Sequence, residues 1–334
     1  MEILAFGVVP DERPLLEQAF RQRQFAVRCL DVFLHRDTAP LAAGYEVISV
    51  SVNARLDAEV LRILADGGTR MIAQRATGFN NIALDTAAEL GMTVARVSYY
   101  SPYAVAEFAW TLALAVNRRV AHAARRTRDF DFRLDGMMGR DMHGRTAGVI
   151  GTGKIGEAFT RIAHGFGMRL LGWDVARNPA CEELGMEYAE LPRLLQDADL
   201  VSLHVPLVPE THHLIDREAL RTMKDDALLI NSSRGGLIDS EALVEELRGG
   251  RFAGVGLDVY EAEEGLFFLD RSLEVMRDDV LARLMTFTNV LVTSHQAYYT
   301  RDAVTQIVDT TVSNIEDYVA GRTSANVLVS PGVP

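Results

Sequence analysis

The stretch Thr146-Ala147-Gly148-Val149-Ile150-Gly151-Thr152-Gly153-Lys154-Ile155-Gly156 decides how this chain folds. A buried-strand pattern runs without interruption into G-x-G-x-x-G, and a helical pattern over residues 157–165 follows. The glycine spacing alone is a weak signal. A strand before it, a helix after it and an acidic residue near the end of the next strand make it a demanding one. Asp174 stands directly after the apolar run 170–173, and 174 minus 156 places it 18 positions beyond Gly156. Gly151 permits a tight turn, Gly153 lets the backbone approach a pyrophosphate, and Gly156 allows close helix packing, with the phosphates at the positive helix end. Asp174 is expected to accept hydrogen bonds from the adenosine ribose and to repel a 2′-phosphate, which favours NAD over NADP. Arg177, three residues on, is the nearby charge that opposes this preference.

Working outward, strand patterns follow at residues 170–173, 200–204, 227–231, 254–258 and 290–293, which with 146–150 makes the six strands of a complete dinucleotide-binding sheet. Upstream, apolar runs at 3–9, 25–29, 47–52, 70–74 and 93–97 alternate with helical patterns at 14–22, 57–65 and 82–90. Strict alternation means βαβ units and a second parallel sheet. Ser101 as N-cap and Pro102 as first helical residue open a long apolar helix expected to run through Val120 and to bridge two domains. A last helical pattern, 300–320, is expected to return to the first domain.

The 334 residues carry 46 acidic against 34 basic side chains, a formal net charge of -12, which argues against nucleic acid as a partner. The densest basic stretch, Arg118, Arg119, Arg125, Arg126 and Arg128, reads as a solvated helix face. Cys29 and Cys181 lack any C-x-x-C spacing and read as ordinary reduced thiols. The opening Met1-Glu2-Ile3-Leu4-Ala5 has no basic leader, and no apolar run reaches about 18 residues without a charge, so a cytoplasmic protein without membrane contact is expected. His212 and His213 are expected to point to opposite sides of an extended segment, and no metal site is expected.

Reduction of a 2-keto acid requires a cation for the carboxylate, an acid for the carbonyl oxygen and a hydride donor. Arg234, which follows residues 227–233 and precedes Gly235 and Gly236, offers a planar fork that can grip a carboxylate at two points. His295 follows the strand pattern ending at Thr293 and Ser294, and imidazole is the natural proton donor to a developing alkoxide near neutral pH. Glu263, on the loop after Asp258, can fix the histidine tautomer if that loop folds back. Three further strand ends, His204-Val205-Pro206, Asn231-Ser232-Ser233 and Asp258, fall where ligands of open α/β sheets bind.

At these residues, and at Ala76-Thr77-Gly78-Phe79-Asn80-Asn81, Tyr100-Ser101-Pro102, Asn231-Ser232-Ser233-Arg234-Gly235-Gly236, Gly256-Leu257-Asp258-Val259-Tyr260-Glu261 and Thr293-Ser294-His295-Gln296-Ala297, the chain resembles the D-isomer-specific 2-hydroxyacid dehydrogenase family, and within it the fermentative D-lactate dehydrogenases. The segment Glu263-Glu264-Gly265-Leu266-Phe267-Phe268 is the mark of that subgroup. The resemblance implies an α/β homodimer with a Rossmann-type doubly wound NAD-binding domain, residues 101–298. This domain is inserted into a smaller flavodoxin-like substrate domain, residues 1–100 plus 299–334. It implies catalytic roles for Arg234, Glu263 and His295, and cofactor contacts from Lys154, Ile155, Asp174, Val205, Pro206, Thr211, Ser232, Ser233 and Asp258. The backbone of Thr77 and Gly78 is implied to hold the substrate carboxylate alongside Arg234, with Tyr100 and Tyr298 bordering the pocket for the group on carbon two. Ser98 stands where the family usually has proline and Tyr298 where phenylalanine is commoner. The substrate alternatives are larger 2-keto acids, as in D-2-hydroxyisocaproate or phenyllactate dehydrogenases. The alternative of another class is an NADH-sensing, corepressor-like binding protein.

Overall fold

In the computed structural model, which describes residues 1–331, strands and helices alternate from the N-terminus. β1 (Glu2–Ala5), α1 (Arg13–Gln22), β2 (Ala26–Cys29), β3 (Val47–Val50), α2 (Ala58–Asp66), β4 (Met71–Gln74), α3 (Leu84–Glu89) and β5 (Thr93–Ala95) come first. α4 (Pro102–Asn117) and α5 (Val120–Arg128) lead to β6 (Thr146–Ile150), α6 (Lys154–Gly165), β7 (Arg169–Trp173), α7 (Pro179–Glu183), β8 (Glu187–Tyr188) and α8 (Leu191–Asp197). Then come β9 (Leu200–Leu203), α9 (Arg217–Thr222), β10 (Leu228–Asn231), α10 (Ser240–Arg248), β11 (Gly254–Leu257), α11 (Asp279–Leu284) and β12 (Val290–Val292). α12 (Arg301–Val319) and β13 (Val327–Val329) close the run. One unit holds Met1–Ser101 and the chain from Tyr299 onward; the other is Pro102–Tyr298.

The first unit is a six-stranded sheet ordered β13-β5-β4-β3-β1-β2, parallel except for β13, which runs antiparallel to β5. Side chains alternate across a strand, and both faces here are covered. Ile3, Ala5, Val47, Met71 and Ala73 pack with Leu16 and Phe20 of α1 and Val304, Val308, Val312 and Ile315 of α12. Leu4, Ile48 and Ile72 face the other way, into Val60, Leu61 and Leu64 of α2. Double coverage explains why these strands read as continuous apolar runs.

The second unit is an all-parallel, seven-stranded sheet ordered β12-β11-β10-β9-β6-β7-β8. The seventh strand, β8, was not expected. It pairs only Glu187 and Tyr188 with the edge of β7, too short to leave a period in the sequence. The chain builds outward in opposite directions on either side of β6, so the turn after β6 lies at the switch point of the sheet, where open α/β folds take ligands.

The helix expected to reach Val120 ends instead at Asn117 and restarts as α5, with Arg119 between them at φ 52°. The Asn117 side chain donates to Arg140 O at 2.8 Å and accepts from Arg140 N at 3.1 Å, drawing the helix end into the following polar stretch. No residue of α5 is buried, and Arg126 pairs with Asp131 at 2.9 Å, so the basic stretch is a solvated face. α4 packs flat on β11 because Gly254 and Gly256 leave room: an added Cβ would lie 2.7 Å from Val116 Cβ and 2.9 Å from Leu112 Cβ. Trp110 stacks on Phe159 at 4.8 Å and on Phe166 at 4.7 Å, and donates to Phe159 O, which fixes α6 and with it the glycine turn.

Candidate functional site

The strands of the second sheet end in step. Trp173 is level with Ile150, Ile150 with Leu203, Leu203 with Asn231, Asn231 with Leu257, and Leu257 with Val292. The next residue on each is Asp174, Gly151, His204, Ser232, Asp258 or Thr293. A shared register therefore delivers residues scattered over half the sequence to one edge of one sheet.

At β6 that edge is a glycine turn. Gly151 has φ +94°, and a Cβ there would lie 2.6 Å from the backbone of His204. A Cβ on Gly156 would lie 1.9 Å from Gly151 O, so only glycine lets α6 start this close to the turn. Gly153 differs: a Cβ would meet nothing within 4 Å, so an open space faces its backbone at the N-terminus of a 12-residue helix. Asp174 accepts from Thr152 N at 2.6 Å. Asn178 and Tyr188, which the sequence reading missed, support the same loop, donating to Thr152 O and Thr152 Oγ1 at 2.8 Å each. Arg177 is drawn toward Glu182, 3.6 Å away, and over the Tyr188 ring. Ser232 Oγ is buried without a protein partner, a hydroxyl left over for a ligand. An open cradle at a helix N-terminus, a carboxylate one strand over and a spare buried hydroxyl suit a dinucleotide.

The loop after β9 carries Val205, buried, and Pro206, exposed. Thr211 Oγ1 donates to Pro206 O at 2.7 Å and accepts from Val208 N at 2.9 Å, which closes the turn. Ser233 Oγ donates to Val205 O at 2.7 Å and ties this loop to the next. His204 is half-buried against Phe159, and desolvation pushes its imidazole down to about 3. Ile155 packs into the apolar core beneath α6, and Lys154 opens that helix.

Arg234 is partly buried three residues beyond the end of β10, where Asn231 Nδ2 donates to its carbonyl and its own guanidinium reaches Ser233 O at 2.7 Å. His295 lies three residues beyond β12 with φ 54°. Its Nδ1 is 2.8 Å from Glu263 Oε1, and the two side chains are 20% and 26% exposed. Tyr260 N donates to the other carboxylate oxygen of Glu263 at 3.0 Å, so the loop after β11 does fold back onto the histidine.

Asp258, expected only as a cofactor contact, spends both oxygens on the histidine loop. It accepts from Thr293 Oγ1 at 2.6 Å, Gln296 N at 2.9 Å and Ala297 N at 2.7 Å, while His295 N donates to its carbonyl at 2.7 Å. Burial pushes its carboxyl up from the usual range, and these bonds oppose that. Phe268 tilts over the His295 ring with centroids 5.9 Å apart.

The expectation for His212 and His213 fails. The segment is not extended: His213 has φ 52°, which turns the two rings to the same side, stacked with centroids 4.0 Å apart and facing Glu261. Thr77, Gly78 and Tyr100 belong to the first unit, where Arg96 donates to Thr77 O at 2.7 Å and Gln74 to Gly78 O at 3.0 Å; Tyr298 is the last residue of the second.

Residues 110–297 match the family described as D-isomer specific 2-hydroxyacid dehydrogenase, NAD binding domain. Over 329 residues the chain is 44% identical to a D-lactate dehydrogenase of Escherichia coli (strain K12), covering 98% of this chain and 100% of the relative. Among solved structures it is similar to the pyruvate reductase of Chlamydomonas reinhardtii, with TM-score 0.93, 40% identity and 98% of each chain covered. It is also similar to a D-lactate dehydrogenase from Aquifex aeolicus complexed with NAD and lactic acid, with TM-score 0.86, 32% identity and 99% and 100% of the two chains covered.

Proposed function

The chain belongs to the D-isomer specific 2-hydroxyacid dehydrogenase family, and from that premise we propose that it interconverts pyruvate and D-lactate, with Arg234, Glu263 and His295 carrying the chemistry. NAD is its cofactor, and the residues at the glycine turn fit it: the space at Gly153 takes the pyrophosphate and Asp174 the adenosine ribose. When bound, NAD would supply the hydride chemistry at carbon two of the substrate, and Gly153 and Asp174 would hold it.

The remaining work belongs to side chains of this protein. Arg234 grips the substrate carboxylate through two parallel N–H donors. Glu263 accepts from Nδ1 of His295, which leaves Nε2 as the nitrogen that faces the substrate oxygen. In reduction Nε2 gives its proton to the carbonyl oxygen as negative charge gathers there, and in oxidation it takes the hydroxyl proton back. Asp258 holds the histidine loop in place through the three bonds described above.

The 2.8 Å pair between His295 and Glu263, on the same sheet edge as the glycine turn and Arg234, carries this reading. We assign the substrate domain to the first unit and the cofactor domain to the second, and propose a cytoplasmic homodimer. Among the described residues no helix is long and apolar enough to cross a membrane.

The test is NADH oxidation with pyruvate, phenylpyruvate, 2-ketoisocaproate and oxaloacetate, NADPH run in parallel, and light scattering for the assembly. Highest kcat/KM on pyruvate with NADH is the expected result. A preference for a bulkier acid would overturn the lactate assignment, since pocket selectivity changes by only about 1–3 kcal/mol per methylene.

A further inference from the structure

On the same edge of the sheet, but apart from the His295–Glu263 pair, two imidazoles and one carboxylate converge on the surface. His212 and His213 follow the turn Pro209–Thr211 in the loop after β9, and Glu261 lies in the loop after β11. The backbone holds them there. His213 N donates to Gly236 O at 2.8 Å and His212 N to Val208 O at 3.0 Å. Gly235 presses so closely on the other loop that an added Cβ would lie 2.0 Å from Tyr260 C. Three loops therefore preset the positions of the three side chains.

Glu261 Oε1 is 2.5 Å from His213 Nε2 and 4.0 Å from His212 Nε2, and one donor atom from each residue lies within 4.8 Å of the other two. Ligands around a tetrahedral zinc ion, each about 2.0–2.2 Å from it, stand roughly 3.3–3.5 Å apart. Closing to that spacing needs His212 to advance and the His213–Glu261 pair to open by about 1 Å each, within reach of ordinary side-chain rotation. The side chains of His212 and Glu261 are 54% and 32% exposed, so an ion can enter and keep water at its open positions.

Two imidazoles with a single carboxylate suit late first-row metals rather than Mg2+ or Ca2+, which prefer oxygen. The formal charge of -12 favours a cation at the surface. We propose that His212, His213 and Glu261 bind a divalent transition-metal ion of the Zn2+ class, which pins the loop after β9 to the loop that carries Glu263.

Purified, tag-free full-length protein is titrated with Zn2+ by calorimetry, with Mg2+ as control. One Zn2+ per chain is expected, with no saturable Mg2+ binding. His212→Ala and Glu261→Gln should each weaken Zn2+ binding at least roughly tenfold. At the same Zn2+ concentration the Tm of the parent protein should rise more than that of either variant. Absence of Zn2+ binding, or binding that both variants retain at full strength, overturns the site, whatever the outcome with keto acids.

Discussion

His295 has a left-handed backbone, φ 54°, which a side chain other than glycine adopts at a cost of order 1–3 kcal/mol. Asp258 sustains it, because its carboxyl and carbonyl hold the loop on both sides of the histidine. His295→Ala should lower kcat by about 10²–10⁴-fold, the usual share of a general acid, with circular dichroism and Tm unchanged. An unchanged kcat would refute the assignment. Glu263→Gln keeps a hydrogen-bonding group opposite Nδ1 but removes the charge, and should lower kcat while KM for the keto acid stays near that of the parent protein. Arg234 and His295 stood out in the sequence because each follows a strand pattern, and the contact of Glu263 with His295 was legible only on the condition that its loop folds back, which it does. The brace from Asp258 could not be read, since its partners lie more than thirty positions away and depend on β11 and β12 being neighbours.

His204 makes a second prediction at this scale. Folding holds its imidazole neutral down to about pH 3, whereas in the unfolded chain it protonates near the ordinary value of 6.5. The unfolded state then binds the extra proton between these values, so stability falls as pH drops from 6.5 toward 3, by at most about 1.4 kcal/mol per pH unit. The Tm of His204→Gln should therefore decline less than that of the parent protein between pH 7 and pH 5. Parallel declines would remove His204 from the account of acid sensitivity.

Among the elements, the glycine turn separates folding from binding. Gly153→Ala places a methyl in open space at an ordinary φ of -64°, so Tm should hold while NADH affinity drops about tenfold or more, as the methyl occupies room meant for phosphate. Gly156→Ala drives a methyl into Gly151 O, so both Tm and affinity should fall. Thermal melts with and without NADH decide between these outcomes, and equal behaviour of the two variants contradicts the cradle. Long, regular elements were legible because period and punctuation agree along β6, the turn and α6. What escaped was short or set from a distance. β8 is two residues on an edge, and the break after α4 is made by the Asn117 side chain reaching Arg140 across 23 positions.

For the whole molecule, each unit owns its core. The first draws essential pieces from both ends of the sequence: Val304, Val308, Val312 and Ile315 of α12 complete one face of its sheet, and β13 covers the edge of β5. A chain truncated after Tyr298 should keep NADH binding and slow amide exchange in β6 to β12, while β1 to β5 exchange rapidly. Protection of β1 to β5 in that truncation would show that the C-terminal segment is dispensable to the first core. The parallel α/β plan of both units followed from alternation alone, whereas the antiparallel strand β13 is only three residues long and lies in a stretch rich in turn residues.

The split composition of the first unit also sets an order of events on the ribosome. The nascent chain delivers its first five strands with only α1 to cover one of their faces, then emits the entire second unit, and delivers α12 and β13 after it. Synthesis runs at about 5–20 residues per second, so the earliest-made strands wait for roughly ten seconds or more with one apolar face only partly covered. That interval is when a chaperone would hold this protein, and a premature stop codon near position 300 would make the wait permanent.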